Sequence, residues 1–384
     1  MGNINKQLAD IFSDMADGLL SGQFGAKKRI GLTLVGSEHG ADELHRAAKM
    51  VARQYPDIEP VLIGQTIETE FELHQADDLH ACHSVMEALL KNNEIDGCVT
   101  LHYNFPLGVS TFGKVVTPSL GREMIIASTT GTTDTHRIAA MLKNTINGIA
   151  LAKATGINQP TVGILNIDGA ALVERYLKRL QQQGYDIRFT ESSREDGGVC
   201  MRGNDLLKGT PDVMVTDSLT GNLMMKMFSS FTTGGSYEAS GYGYGPGLGE
   251  GSQHLVAIIS RASGAPVIAG AMRLCADAVI GQALAITEAE MKLAKKAGLD
   301  LILTELKQAK TEVATKPVVV APATKITDAD ISGIDILEIE DACESLWSVG
   351  IFARTGMGCT GPIVMIAAAD KDKAREHLHT KQYL

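Results

Sequence analysis

Short apolar runs alternate with amphipathic stretches along most of this chain, and that alternation restricts the fold more than any other feature. Arg29–Gly36 has the continuous apolar character of a buried strand. It is followed by Ala41–Tyr55, in which Leu44, Ala48 and Val51 share one face of a helix. Strands separated by helices usually form parallel sheets with helices on their faces. We therefore predict a layered α/β/α fold with largely parallel sheets.

The same alternation continues to the end of the chain. Further strands are predicted at Pro60–Gly64, Gly97–Leu101, Thr161–Leu165, Asp212–Asp217, His254–Arg261, Pro266–Gly270, Leu301–Leu303, Pro317–Ala321, Val349–Ala353 and Ile363–Ala367. Helices are predicted at His83–Asn92, Arg137–Ala154, Ala170–Gln183, Thr220–Phe228, Ala276–Ala297 and Glu340–Trp347, with a terminal helix from Asp370. The segment before Thr135 and the segment before Gly251 are rich in Gly, Ser and Thr, and both are predicted to be long loops.

This pattern suggests four parts. We expect an N-terminal helical segment over residues 1–27, a first α/β lobe over 28–155 and a second over 156–325 that contains the glycine-rich loop. The C-terminal segment, 326–384, is expected to pack onto one of the lobes.

The charge balance and the cysteine pattern exclude several classes of protein. The 384 residues include 35 Lys and Arg against 45 Asp and Glu, a net charge of −10, whereas proteins that grip nucleic acid carry a basic excess. No stretch reaches eighteen apolar residues, and the start lacks a signal-peptide pattern. The six cysteines form no CxxC pair and no metal-ligand spacing. We therefore expect a cytoplasmic protein with no bound metal and no nucleic-acid or membrane partner.

Glycines recur at every second position from 241 to 251, a run that includes Gly245, Gly247 and Gly249. The G-x-G-x-x-G spacing of a dinucleotide site fails in every register, and the chain has no Walker A motif. The sequence therefore gives no support for NAD or ATP. Two interpretations of the run stay open: a loop whose N–H groups bind a small anion such as phosphate, or a mobile surface loop or packing bend.

A second candidate site lies where a predicted strand ends and the predicted helix at Thr220–Phe228 begins. The free N–H groups at such a helix start suit an anion. The alternative is simple capping of the helix by Asp217 or Ser218, which is the more common use of these residue types. The candidate phosphate-binding residues of this segment are Ser218, Thr220, Asn222 and Lys226.

The hydroxyl-rich run Ser128–Thr135 is the third candidate segment. It precedes the predicted helix Arg137–Ala154, so that His136 and Arg137 lie at the first turn of that helix. The run is either part of a polar pocket or a helix start with an excess of capping groups, and the second interpretation is the more common one.

Cys359 is the candidate nucleophile, because it lies in a glycine-rich segment between two predicted strands. Glycines 356, 358 and 361 surround it, and Arg354 lies five residues before it. Backbone N–H groups and a nearby guanidinium favour the reactive thiolate form of cysteine. Most free cysteines are structural, so that alternative stays open for Cys359. Of the others, Cys200 lies in a polar loop without such glycines, and packing is expected for Cys82, Cys98, Cys275 and Cys343.

Several of these segments carry a resemblance to known families. Pro211–Lys226, followed by the glycine-rich run, resembles the phosphate acyltransferase family of fatty acid synthesis, whose fold is related to phosphotransacetylases and isocitrate dehydrogenases. From about Asn5 onward the chain resembles the alpha subunits of component C of glycine/sarcosine/betaine reductase complexes, most clearly in Leu101–Pro106, in 241–251 and in Gly356–Pro362. The resemblance implies two lobes with an active-site cleft.

The resemblance also implies a reaction. In such complexes component B delivers a carboxymethyl group to the selenocysteine of component A, and component C then takes the two-carbon unit as an acetyl thioester on a cysteine. Phosphate releases it as acetyl phosphate. The family's nucleophile corresponds to Cys359, and its phosphate-handling elements correspond to Ser218–Asn222, Lys226 and 241–251. No bound cofactor is implied, because the electrons come from the selenoprotein and inorganic phosphate is a substrate.

The implied partners are a component C beta subunit, selenoprotein component A and, indirectly, component B, and the chain is expected to be part of an oligomer. Two other functions stay open on the sequence. One is a cofactor-free phosphate acyltransferase that uses acyl carrier protein or coenzyme A without a covalent intermediate, and the other is a non-catalytic scaffold subunit. The group that assists Cys359 is open among His102, His136, His254, Arg137 and Lys226.

Overall fold

A computed structural model describes residues 11–13, 15–16, 18–19, 26–194, 197–312, 319–358 and 361–384. The strands are β1 (Lys28–Thr33), β2 (Ile58–Gly64), β3 (Glu72–Gln75), β4 (Gly97–Thr100), β5 (Val109–Val116), β6 (Glu123–Thr132), β7 (Thr161–Leu165), β8 (Arg188–Phe189), β9 (Cys200–Met201), β10 (Val213–Val215), β11 (Gly245–Gly249), β12 (Val256–Ile258), β13 (Ala329–Ser332), β14 (Ala353–Gly358) and β15 (Gly361–Ile366). The main helices are α1 (Ala41–Gln54), α2 (Leu79–Lys91), α3 (Arg137–Ala154), α4 (Ala170–Gln182), α5 (Gly203–Lys208), α6 (Ser218–Ser230), α7 (Ala265–Ile280), α8 (Ala283–Lys296), α9 (Leu299–Glu312), α10 (Ile339–Ser348) and α11 (Lys371–Thr380).

In the described part of the chain, twelve strands form one sheet in the order β3-β2-β1-β4-β12-β11-β5-β6-β10-β7-β8, with β9 also paired to β7. Strands β3 to β12 of this order are parallel to one another, and so are β6, β10, β7 and β8. The pairings β12–β11, β11–β5 and β5–β6 are antiparallel. The two parallel halves therefore run in opposite directions, and the prediction of a largely parallel sheet is confirmed.

Helices cover both faces of this sheet, because alternate side chains of each strand point to opposite faces. In β1, Ile30 and Leu32 belong to a core shared with α1 and α7, whereas a Cβ on Gly31 would lie 2.8 Å from Cys98 Sγ on the other face. In β10, Val213 and Val215 pack in the core below α3 and α4, and Met214 packs on the opposite side with Met225 of α6. The predicted α/β/α layering is confirmed.

The chain passes repeatedly between the two halves of the sheet. Strands β11 and β12 come late in the chain but lie between β4 and β5, which come early. The predicted boundary at residue 155 therefore does not coincide with any division of the sheet.

Several predicted elements differ from those observed. The segment before Thr135, predicted to be a loop, contains β5 and β6, because its buried Ser and Thr hydroxyls find hydrogen-bond partners inside the fold. Pro266–Gly270 and Leu301–Leu303 lie in α7 and α9 rather than in strands, since a short apolar run does not distinguish a buried helix from a buried strand.

Other differences concern element boundaries. The predicted long helix Ala276–Ala297 is divided into α7 and α8 at Gly281, where a Cβ would lie 1.8 Å from the carbonyl oxygen of Ala154. The strand predicted at Val349–Ala353 begins only at Ala353. For Pro317–Ala321, residues 317 and 318 lie outside the described residues, and 319–321 are not in a strand.

Residues 326–384 form a C-terminal unit with a core of its own. Strands β13, β15 and β14 make a second, antiparallel sheet, and α10 and α11 pack on it around Ile339, Leu346 and Leu378. The unit contacts α4 through polar groups: Arg175 Nη2 lies 2.9 and 3.0 Å from the two carboxylate oxygens of Glu338. A unit with a separate core and a polar contact surface depends on such contacts for its position.

No single helix among the described residues is long and apolar enough to cross a bilayer, although α7 and α8 taken together meet that length and composition with a bend of 62° between them.

The Arg175–Glu338 contact gives a prediction about the position of the C-terminal unit. Replacing Arg175 by Met should weaken the attachment of this unit to α4, so that limited proteolysis cuts the connecting segment 313–328 several times faster. The matched control is Arg179→Met, because Arg179 lies one turn further along α4 and makes a similar paired contact with Glu305 of α9, within the main body. Equal cleavage rates in the two variants would contradict the prediction.

Candidate functional site

A polar cavity of about 210 Å³ lies at the carboxyl ends of β6 and β10. Its walls come from the last residues of β6, the first turns of α3 and the start of α6. It brings together two segments that the sequence analysis treated separately, the hydroxyl-rich run before α3 and the start of α6. The lining residues are Ser128, Gly131, Thr132, Asp134, Thr135, Arg137, Ala140, Met141, Asn144, Asp217 and Ser218.

The start of α6 reaches this cavity because Gly221 lets the helix lie directly against β6. A Cβ at Gly221 would be 1.8 Å from the carbonyl oxygen of Ser128, far closer than any real contact. Asn222 strengthens the same contact, since its Nδ2 donates a hydrogen bond of 3.1 Å to the carbonyl oxygen of Thr129. The position of Ser218 beside β6 therefore depends on a residue without a side chain.

Asp217 caps α6 and also faces Arg137. Its Oδ1 accepts a hydrogen bond of 3.0 Å from the Thr220 N–H, and its Oδ2 accepts one of 2.8 Å from the Thr220 hydroxyl. Arg137 Nη2 lies 3.1 Å from the same Oδ2. Burial raises the pKa of Asp217, but these partners outweigh burial and hold it below its ordinary value. The capping interpretation of this segment is confirmed for Asp217, which also explains the contacts of Thr220.

Asn144, in the second turn of α3, organises the hydroxyl groups on the cavity wall. It is buried, its Nδ2 donates to Ser128 Oγ at 3.1 Å, and its Oδ1 accepts from the hydroxyls of Ser110 at 3.0 Å and Thr133 at 2.9 Å. A hydroxyl that accepts a bond from an amide keeps its own proton for another acceptor. The Ser128 hydroxyl, which lines the cavity, therefore keeps its proton for a further acceptor.

A second pair of charges, Asp134 and Lys143, lies near the start of α3. Lys143 Nζ lies 2.6 Å from Asp134 Oδ2, and Asp134 Oδ1 accepts from the His136 N–H at 2.9 Å. Burial raises the pKa of Asp134, yet the bonds from Lys143 and His136 outweigh burial, so that its pKa is lowered. His136 caps α3, since its Nδ1 accepts from the Ala139 N–H at 3.4 Å. The cavity thus lies at the N-termini of two helices, where partial positive charge favours an anion.

The structure places one of the predicted phosphate-binding residues of α6 at the cavity and the other three outside its lining. Ser218 lines the cavity, whereas the side chains of Thr220 and Asn222 bind Asp217 and the backbone of β6. Lys226 lies two turns further along α6, 3.8 Å from Glu238 Oε1, and does not line the cavity. Of the other assisting groups considered, Arg137 lines the cavity, and His254 lines two cavities elsewhere.

Gly245, Gly247 and Gly249, predicted to lie in a loop, form the buried strand β11 instead. A Cβ at Gly245 would lie 1.7 Å from the carbonyl oxygen of Phe112, and one at Gly247 would lie 2.3 Å from the Phe105 ring. The glycines are needed for close packing between strands, which is the packing interpretation of the run and argues against a phosphate loop here.

Arg354 lies in β14 of the C-terminal unit and is exposed. Strands β14 and β15 form a hairpin whose pairing extends to Gly358 and Gly361, so the segment predicted to be a loop is mostly strand. Cys359 lies outside the described residues.

The five described cysteines have environments that disfavour the thiolate. Burial is the main cause in each case, and for Cys200 the neighbouring Glu174 adds to it. Burial raises the pKa values of Cys82 and Cys343 to about 11, that of Cys275 to about 12, and those of Cys98 and Cys200 as well. These thiols are therefore poor nucleophiles near neutral pH.

Sequence reasoning missed the contributions of Asn144, Lys143 and Asp134. A buried polar residue in a predicted helix is a usable signal for Asn144, because Asn is rarely buried without partners. Nothing in the spacing of Asp134 and Lys143, however, shows that the two side chains meet. Within the described ranges, no group of three or more His, Cys, Asp or Glu side chains is placed to hold a metal ion.

Gly221 provides a test of this geometry. Gly221→Ala should displace α6 from β6 and lower the free energy of unfolding by about 1–3 kcal/mol or more, as overpacking of a tight contact does. Urea unfolding would measure it. The control is Gly203→Ala at the start of α5, where a Cβ has no neighbour within 4 Å. If Gly221→Ala is no less stable than the control, the close contact described here is wrong.

Comparison with known proteins places the chain in a family. The model of the family described as "Fatty acid synthesis protein" matches residues 28–365. The alpha subunit of glycine/sarcosine/betaine reductase complex component C from Peptoclostridium acidaminophilum is 49% identical over 378 residues, which are 98% of each chain. A phosphate acyltransferase from Staphylococcus saprophyticus is 23% identical over 236 residues, 52% of this chain and 70% of that one.

Among solved structures, a branched-chain phosphotransacylase from Enterococcus faecalis V583 aligns with a TM-score of 0.48 and 14% identity, over 65% of this chain and 99% of that one. The family expectation drawn from the sequence is confirmed by the family model and by the 49% identical relative. The chain belongs to the fatty acid synthesis protein family, together with the alpha subunit of component C of the glycine/sarcosine/betaine reductase complex.

Proposed function

We propose that this chain is an acyl-transfer enzyme that releases its acyl group to inorganic phosphate, as the alpha subunit of a glycine/sarcosine/betaine reductase component C. Component A presents the two-carbon unit as a carboxymethyl selenoether. The C–Se bond breaks as a thiol of component A supplies two electrons and becomes a selenium–sulfur bond, the methylene carbon gains a proton, and the carboxylate loses one oxygen as water. The carbonyl carbon forms the new C–S bond with Cys359, which gives the acetyl thioester. Phosphate then attacks the carbonyl carbon, the C–S bond breaks with its electron pair on sulfur, and acetyl phosphate leaves. The beta subunit of component C and component A are its direct partners, and component B acts indirectly.

The cavity at the starts of α3 and α6 is the observation that carries the phosphate half of this proposal. Two helix N-termini and the Ser128 hydroxyl offer hydrogen-bond donors, and Arg137 offers a positive charge. Arg137 is about two-fifths exposed and its described ion pair is with Asp217, so its guanidinium has further N–H groups for a phosphate while it keeps that contact. A volume of about 210 Å³ suits a small anion.

The thioester half of the proposal rests on chemistry and on the sequence around Cys359. A thioester splits a difficult transfer into two easier steps, and it requires a thiol that ionises and is reachable. The five described cysteines are held in the thiol form by burial. Cys359 is the remaining cysteine of the chain and lies among the glycines of Gly356–Pro362. Arg354, which is exposed on β14 and lies five residues before Cys359 in the sequence, is the proposed cation near it.

A second candidate function is direct transfer between phosphate and an acyl carrier protein or coenzyme A, without a covalent intermediate. The match of the family model to residues 28–365 and the similarity to phosphate acyltransferases favour it. The two functions use the same phosphate cavity and differ in their need for Cys359. A non-catalytic scaffold subunit would need neither the phosphate cavity nor Cys359.

Cys359→Ser in the assembled component C should reduce acetyl phosphate formation at least a thousandfold, because the acylated sulfur is lost. After incubation with labelled acetyl phosphate, peptide mass mapping should find the label on Cys359 in the unmodified protein only. The matched control is Cys200→Ser, since the raised pKa of Cys200 makes it unreactive. Full activity in Cys359→Ser with no acyl adduct would support direct transfer instead, and no activity in either protein would support a scaffold.

Ser128→Ala should raise the KM for phosphate about tenfold to a hundredfold, because a hydrogen bond to a charged group contributes about 1.5–3 kcal/mol. Arsenate- or phosphate-dependent breakdown of acetyl phosphate would measure it, with kcat determined separately. The control is Ser229→Ala on α6, where the buried hydroxyl donates to the carbonyl oxygen of Met225 away from the cavity. An unchanged KM in Ser128→Ala would place phosphate elsewhere.

A further inference from the structure

One face of α6 carries a row of uncovered apolar side chains, here called the α6 stripe. It consists of Leu219, Leu223, Met227 and Phe231, the last just beyond the helix end, and their exposed fractions are 80%, 54%, 54% and 79%. The spacing of four residues places them along one side of the helix, while Met225 packs in the core on the other side. A continuous exposed apolar row of this kind marks an interaction surface.

The charges around the stripe indicate what binds to it. Residues 218–235 contain no Asp or Glu, in a chain with 45 acidic residues. The charged side chain in this stretch is Lys226, half-exposed beside the stripe and 3.8 Å from Glu238 Oε1. The segment that covers the stripe should therefore combine an apolar row with acidic flanks.

The N-terminal segment of this same chain has that composition. Its described residues 11–13, 15–16 and 18–19 are helical, and Ile11, Phe12, Met15 and Leu19 are all at least half exposed. In the sequence, Ile4 and Leu8 continue the same spacing toward the start. The acidic residues of the segment are Asp10, Asp14 and Asp17. An amphipathic helix with one uncovered apolar face gains free energy by burying it.

The segment is also within reach of the stripe. Because the two parallel halves of the sheet run in opposite directions, the start of β1 and the start of α6 lie at the same edge of the sheet. Helix α6 packs over β5 and β6, four and five strands from β1, or about 19–24 Å at the usual strand spacing. The connecting residues 20–27 span up to about 27 Å when extended.

We propose that residues 4–19 form an amphipathic helix that docks its apolar face on the α6 stripe of the same chain. The short connection keeps the segment at a high effective concentration near the stripe, which favours docking within one chain over docking between chains. The docked helix borders the cavity at the start of α6. The proposal concerns this surface alone and does not depend on the proposed function.

Hydrogen exchange on the full chain tests the proposal. The amides of residues 4–19 should exchange at least tenfold more slowly than in a free peptide of the same sequence, and Leu223→Glu should abolish that protection. The matched control is Leu293→Glu on α8, where the leucine is 52% exposed; protection should be unchanged there. Met227→Glu provides a second variant of the stripe, and thermal melting verifies that each variant is folded.

Three results would overturn the proposal. The first is exchange of residues 4–19 at the free-peptide rate in the unmodified chain, and the second is protection that is equal in Leu223→Glu and Leu293→Glu. The third is protection that rises with protein concentration together with a dimer mass by light scattering, which would mean that the segment binds a second copy.

Discussion

The arrangement of this protein depends on a strand that few sequences could form. β11 pairs with β12 through Gly245 and Pro246, and with β5 through Gly247 to Gly249. A Cβ at Gly245 would lie 1.7 Å from one carbonyl oxygen, and one at Gly249 would lie 2.1 Å from another. The alternating glycines let β11 join two parallel half-sheets that run in opposite directions. This reversal brings the carboxyl ends of β6 and β10 to the same edge as the start of β1.

The position of the candidate phosphate site also depends on how the strands of this sheet are arranged. Ligands in α/β proteins bind where parallel strands end and helices begin, and here two such helices, α3 and α6, start at one cavity. Gly221 brings α6 against β6, and Asn144 fixes the Ser128 hydroxyl from the interior of α3. The acidic and basic side chains at the rim are paired with each other, so the donors left for an anion are mainly backbone N–H groups and hydroxyls. An acidic protein can bind phosphate in this way without a basic surface.

The C-terminal unit, residues 326–384, folds beside the main sheet as a separate part of the chain. It has its own sheet and core, and its contacts with α4 and the residue before it include hydrogen bonds and an ion pair. The proposed nucleophile, Cys359, falls within the sequence range of this unit, whereas the candidate phosphate cavity lies at the main sheet. Under the proposed function the chemistry depends on the relative position of the two units, which the contact between Arg175 and Glu338 helps to hold.

The sequence by itself determined the layered α/β class and most elements, because hydrophobic periodicity is a local property. The bounds of α3 were predicted at Arg137–Ala154, as observed. The Asp217 cap was also foreseen, since a cap is made within one turn. Only the tertiary structure decided the rest. β5 and β6 pair with each other, but their outer neighbours in the sheet, β11 and β10, are distant in sequence. The glycines of β11 are explained by backbone more than 130 residues away. The cavity is lined by both Ser128 and Ser218. A local sequence pattern does not predict that two segments so far apart in the chain lie side by side.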